Sequence, residues 1–181
     1  MNTNESEVSY IDLHIRDELK YLLCGAKVWK LLEDKSTALG EDRIHLQAHI
    51  MTSCFVRIRN LYLYFTLPKS VSIRNSYNIN FPKSQLFAKD KRTIEAKVMH
   101  LSPAKERESE KSINGKILLY TEDILRIIAD HLDNLKDINP EIYKALLNVT
   151  KDCYIEANNM VNETRVFQSG VYENRIAKHL S

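Results

Sequence analysis

Apolar residues recur along this chain at three- and four-residue steps, the spacing of one face of an α-helix. Over about residues 7–33 the stripe is Val8, Ile11, Ile15, Leu19, Leu22, Ala26 and Trp29. After a short link broken by Gly40, a second helix is predicted over about 41–65, with Ile44, Ala48, Met51, Phe55, Ile58, Tyr62 and Phe65 on its buried face. Leu67-Pro68 ends it. So short a link makes the two long helices antiparallel neighbours. Residues 68–84 have no clean period and read as a loop, with an extended piece around 77–81. A shorter third helix follows over about 85–101.

Residues 102–115, SPAKERESEKSING, are charged and small, and offer almost nothing to bury; they read as a mobile loop. A fourth helix, about 116–136, aligns Ile117, Ile124, Ile128 and Leu135. The stretch DINPEI then stops and restarts the chain, with Asn139 as N-cap and Pro140 at the first helical position. The fifth helix, about 140–163, carries Ile142, Leu146, Val149, Cys153 and Met160, and a second stripe of Tyr143, Leu147, Tyr154 and Val161. An apolar face this broad needs contact on two sides, inside the bundle or at a dimer interface. The pattern predicts an all-α, up-and-down bundle of about five helices. One domain spans residues 1–163, and a weakly helical tail spans 164–181. The predicted core includes Leu22, Trp29, Met51, Phe55, Ile58, Ile124, Ile128, Leu146 and Val149.

Composition changes this picture little. Four Gly and four Pro in 181 residues suit long helices and not a turn-rich β-fold. A net charge of +2, from 26 basic and 24 acidic residues, neither demands nor excludes nucleic acid. Cys24, Cys54 and Cys153 lie far apart on apolar stripes, with no CxxC pair, and read as buried free thiols in a reducing compartment. No uninterrupted apolar run reaches the length of a membrane span, and the polar N-terminus lacks the pattern of a secretion signal. A cytoplasmic protein with no membrane contact is expected.

Four constellations could carry chemistry. In RIRNLYLYF, residues 57–65, Arg57, Arg59 and Asn60 flank the buried stripe; a guanidinium and an amide there can bind phosphate or a splayed base. The plainer reading is an interhelical salt bridge. His100 ends the third helix, where a helix C-terminus favours imidazolium; it is a candidate general acid or base, or simply a C-cap. In RIIADH, Arg126 and His131 have an R-x4-H spacing that could move a proton and stabilise phosphorane charge without a metal. Residues five apart diverge by about 140° around a helix, so a shared site would need a second subunit. His131 also continues the apolar stripe of Ile124 and Ile128 and can be a core histidine. Glu41, His45 and His49 recur at four-residue steps, a partial metal-site geometry, but no partner motif completes it; a solvated helix shoulder is expected, with no metal and no cofactor.

RIRNLYLYF together with IEAKVMHLS, residues 94–102, and the R-x4-H resembles the pattern of small bacterial HEPN proteins (higher eukaryote and prokaryote nucleotide-binding domains). Arg59, Asn60, Leu61, Phe65, His100, Leu101 and Ser102 match; Glu95 stands where Asn is expected and Arg57 where His is common. The resemblance covers roughly residues 50–135. It implies a four- to five-helix bundle, often dimeric, in a family of metal-independent ribonucleases, inactive relatives and toxin–antitoxin or defence components. Under it, Arg59, Asn60 and His100 should gather on one face, with RNA or another anion as ligand. The alternative is a non-catalytic bundle that dimerises or docks a protein through its fifth helix.

Overall fold

A computed structural model describes residues 3–34, 42–66, 84–99 and 116–160. Among them the regular structure is entirely helical. Helix α1, Thr3–Tyr10, passes through a π-turn, Ile11–Ile15, into α2, Arg16–Asp34. Then come α3, Asp42–Thr66, α4, Gln85–Met99, α5, Ile117–Ile138, and α6, Pro140–Met160. The loop over 102–115, the extended piece around 77–81 and the tail over 164–181 lie outside the described residues.

Helices α2, α3, α5 and α6 close a four-membered ring, and α4 packs outside it against α3 and α5. Side-chain pairs give the directions. Glu18 meets Arg57 and Asn60 while Glu7 meets Tyr64, so α2 and α3 run antiparallel. Ser84 meets Asp123 and Asp90 meets Tyr120, so α4 and α5 are antiparallel too. From α2 onward each helix reverses the one before it, in up-and-down order. Because α4 takes the intervening pass outside the ring, α3 and α5 run parallel, with Phe55 against Tyr120 and Phe65 against His131.

Local sequence explains the ends. Ser84 Oγ accepts the Phe87 N–H at 2.9 Å as N-cap of α4, and donates to Asp123 Oδ2 at 2.5 Å, tying that cap to α5. Asn139 Oδ1 accepts the Ile142 N–H at 3.1 Å, and Pro140 occupies the first position of α6. Between α5 and α6 stands a single residue, so the chain doubles back at once.

One continuous core runs through all the helices. Leu22, Trp29, Phe55, Ile58, Ile124, Ile128, Leu146 and Val149 are buried in it; Met51 is only half-buried and packs on its edge. The breadth of α6 is used inside the chain: it lies against α1, the π-turn, α2 and α5. Arg16 reaches Asp152 at 3.1 Å, Lys20 reaches Glu156 at 2.6 Å, and the buried Lys27 donates to Asn158. All three cysteines are buried free thiols, and burial pushes those of Cys54 and Cys153 up to about 12. No helix of the described residues is long and apolar enough to cross a membrane.

Candidate functional site

The stretch 57–60 faces α2. Arg57 and Asn60, one helical turn apart, both reach Glu18: Arg57 Nη1 and Asn60 Nδ2 each donate to Glu18 Oε1 at 3.0 Å. The Arg57 guanidinium also lies 5.3 Å above the ring of Tyr21, one turn beyond Glu18. Arg57 is thus held between a carboxylate and a ring. Arg59 differs. Among the described residues its side-chain hydrogen-bond partner is Asn60 Oδ1, at a long 3.4 Å, and it makes no ion pair with a described carboxylate. Three atoms of this cluster are closed to water and unpartnered: Glu18 Oε2, Arg57 Nε and Arg59 Nε. Such atoms are uncommon in native proteins.

Beside the cluster, between the π-turn and α3, lies a cavity of about 230 Å³. Tyr10, His14 and Glu18 line one wall, Asn60 and Tyr64 the other, and Ile15 and Leu63 add apolar surface. The rings of Tyr10 and Tyr64 stack at 5.3 Å, and His14 tilts onto Tyr10 at 4.7 Å. Tyr64 is fixed from behind, donating its hydroxyl to Glu7 Oε1 at 2.6 Å. Glu7 is only 4% exposed. Burial raises its pKa, and the Tyr64 hydrogen bond opposes that rise only in part. Burial also raises the pKa of Tyr10, helped by the negative charges of Glu18 and Glu7.

The π-turn explains how Glu7 comes to be buried. Glu7, Ile11, Ile15 and Leu19 succeed one another at steps of four, which in a straight α-helix would drift by about 120° over three steps. The Arg16 N–H bonds Ile11 O, five residues back, and the wider turn offsets that drift. All four side chains then face the interior.

Arg126 and His131 do not meet. Arg126 donates to Asp123 Oδ1 through Nε at 3.0 Å and Nη2 at 2.8 Å, and to Asp130 Oδ2 at 3.0 Å, all on its own helix. Asp123 is itself held by Tyr62 at 2.6 Å. His131 is 1% exposed in the core, its Nε2 3.3 Å from Phe65 O and its ring 5.0 Å from that of Phe65. A comparable network ties α4 to α5, where Tyr120 and Lys116 donate to Asp90 at 2.6 and 3.1 Å. Burial pushes the Asp90 carboxyl up, but those two hydrogen bonds outweigh it and hold the pKa below the usual value.

Of the residues singled out in the sequence, Arg57, Arg59 and Asn60 lie within one turn of α3, and Asn60 itself lines the cavity. His100 and Glu41 lie outside the described residues. His49 is exposed, and no three His, Cys, Asp or Glu side chains gather at metal-binding distance among the described residues. Glu7, Tyr10, His14, Glu18 and Tyr64 escaped the sequence reading; the run of four-residue steps through Glu7 was the one signal for them. Comparison with protein-family models, characterised proteins and solved structures finds no match in any of the three.

Proposed function

We propose that this chain is a non-catalytic binding module of HEPN-like type, not a ribonuclease. What supports this is the commitment of Arg57 and of the R-x4-H pair to other partners; His100 lies outside the described residues. Arg57 is spent on Glu18, and Arg126 on Asp123 and Asp130. His131 is packed beneath Phe65 with its Nε2 at a backbone carbonyl. A general acid–base catalyst needs a reachable imidazole, and a phosphorane needs a cation with spare donors. Partner capture from the α6 side, by a second copy or another protein, belongs to the same reading.

RNA binding without cleavage is the second reading. Arg59 favours it, as a guanidinium at the helix shoulder with one long hydrogen bond and no ion pair to a described carboxylate. The test is purified full chain against single-stranded RNA in chelator. No cleavage is expected. Chelator-resistant cleavage that disappears in His100→Ala would overturn the binding-module reading. Salt-sensitive RNA retention lost in Arg59→Ala would establish the second reading.

A further inference from the structure

Helix α4 is fastened differently from the helices of the ring. Among its described residues it buries Phe87 and Ile94 and packs Leu86 on the edge of the core. By contrast, α5 buries apolar side chains along its whole length, from Ile117 to Leu135. The Phe87 ring stacks on that of Tyr62, on α3, at 4.3 Å. The rest of the fastening is polar, and two carboxylates carry it. Asp123 of α5 accepts the Ser84 hydroxyl, but also Tyr62 and Arg126, which belong to the ring. It keeps those ring donors whether or not α4 is in place. Asp90 differs, because it belongs to α4 and its donors among the described residues both come from α5. Tyr120 reaches its Oδ2 at 2.6 Å and Lys116 at 3.1 Å. Asp90 is 9% exposed, so its charge sits mostly out of water, where a charge-assisted bond counts for more.

We propose that α4 is a strap: it lifts as a unit from a ring that stays folded, and the Asp90 carboxylate is the catch that holds it down. The four helices of the ring contact one another in a closed cycle without it. Elements that bury little apolar surface open at a fraction of the free energy of global unfolding, in contiguous units. Such an opening is a rare excursion of the native protein, so the final transition stays cooperative. What it uncovers is the face of Tyr62 and the seam between the parallel α3 and α5. The proposal goes beyond the binding-module reading and does not depend on it.

The catch responds to charge. Lys116 and Tyr120 face Asp90 from α5, and Lys89 acts on it from its own helix. From α3 comes Tyr62, whose hydroxyl is committed to Asp123. Burial pushes the Asp90 carboxyl up, but its two hydrogen bonds and the two lysine charges hold it below the usual 3.8. A depressed carboxyl contributes stability above its unfolded pKa, and that contribution is lost as pH falls through the folded value. The catch therefore holds at neutral pH and lets go in acid.

The test is native-state hydrogen exchange of the full chain, read amide by amide by NMR in low urea. At about pH 7 the amides of residues 88–94 should exchange through one shared, urea-sensitive opening. They should be less protected than residues 55–62 of α3 and 124–132 of α5. Asp90→Asn should lower protection in α4 about tenfold, as expected for a lost charge-assisted bond, and leave 124–132 unchanged. Lys116→Met removes a donor from the other side of the seam and should act in the same direction. Between about pH 5 and about pH 3, protection of α4 relative to the ring should fall in the parent and hold steady in Asp90→Asn. That difference separates a catch from packing alone. Equal protection and equal urea slope in α4 and the ring overturn the proposal. So does urea-insensitive fraying of α4, or a pH response that survives in Asp90→Asn. If that variant fails to fold, the parent's own urea and pH responses decide. Cleavage or retention of RNA changes none of these outcomes, so the two readings fail separately.

Discussion

A Cβ built on Gly25 would stand 2.6 Å from the sulfur of Cys54, closer than side chains approach in folded proteins. Gly25 is therefore what lets α2 and α3 close on each other. In a helix interior glycine costs about 1 kcal/mol relative to alanine, so Gly25→Ala should gain on propensity. Overpacking a well-filled core costs about 1–3 kcal/mol, and that term should win. Urea denaturation should show a net loss for Gly25→Ala, and a smaller added loss when Cys54→Ala is already present. Glu7 gives a pH test. Burial raises its pKa above the usual 4.5. A raised carboxyl contributes fully below the unfolded pKa, and that contribution is lost as pH rises through the folded value. Glu7→Gln keeps an oxygen for Tyr64 and cannot ionise. Its stability relative to the parent should thus increase from about pH 4 to about pH 7, as read by thermal melts. Residue type alone hid this position, because a glutamate near a helix start is most often solvated.

At the scale of elements, most helix limits were legible because breakers mark them. Pro140 starts α6 where the sequence places it, and Pro68 follows closely on the end of α3 at Thr66. Resolving α1 from α2 was not possible from period alone, since three- and four-residue steps pass smoothly through the π-turn. Period alone therefore predicts one unbroken helix there. The missing clue is the run of consecutive fours from Glu7 to Leu19, more than a straight helix tolerates on one face. Deleting Leu13, which is 62% exposed, should convert the π-turn to regular helix. The steps from Glu7 through Ile11 and Ile15 to Leu19 would then be four, three and four, about three full turns, so all four side chains stay on one face. Circular dichroism should keep its helical content and the melting temperature should hold or rise. A fall of more than about 2–4 °C would mean that the wide turn itself is needed for packing. The breadth of α6 was legible too, but period could not say which surfaces would cover it; four neighbours within the chain do.

For the whole molecule, fold class and helix order followed from pattern, whereas the site did not. A charged side chain such as Arg57 can reach solvent, a ligand or a carboxylate on another helix with equal ease, and only the register between helices, which puts Glu18 opposite it, decides which. The Asp123 and Asp130 partners of Arg126 were legible, since they stand three and four residues from it on one helix. A core shared by every helix predicts a single cooperative transition. Trp29, the one tryptophan, is buried on α2, so its fluorescence reports the centre of the ring. Its unfolding curve in urea should superimpose on that of far-ultraviolet circular dichroism. A fluorescence change that comes first would divide the bundle into separately unfolding parts.

The stacking of Tyr10 on Tyr64 has a thermodynamic consequence. One wall of the cavity belongs to the first two helical segments and the other to α3, so the cavity exists only while α1 is docked. Terminal helices open locally at a fraction of the free energy of global unfolding. Any molecule held in the cavity must then slow that opening, in proportion to its saturation. Occupancy near residues 10–18 would be written in the exchange rates of amides in α1, a helix that need not touch the ligand over most of its length. The N-terminal helix would in that sense serve as the cavity's own reporter, tightening when it is filled and fraying when it is empty.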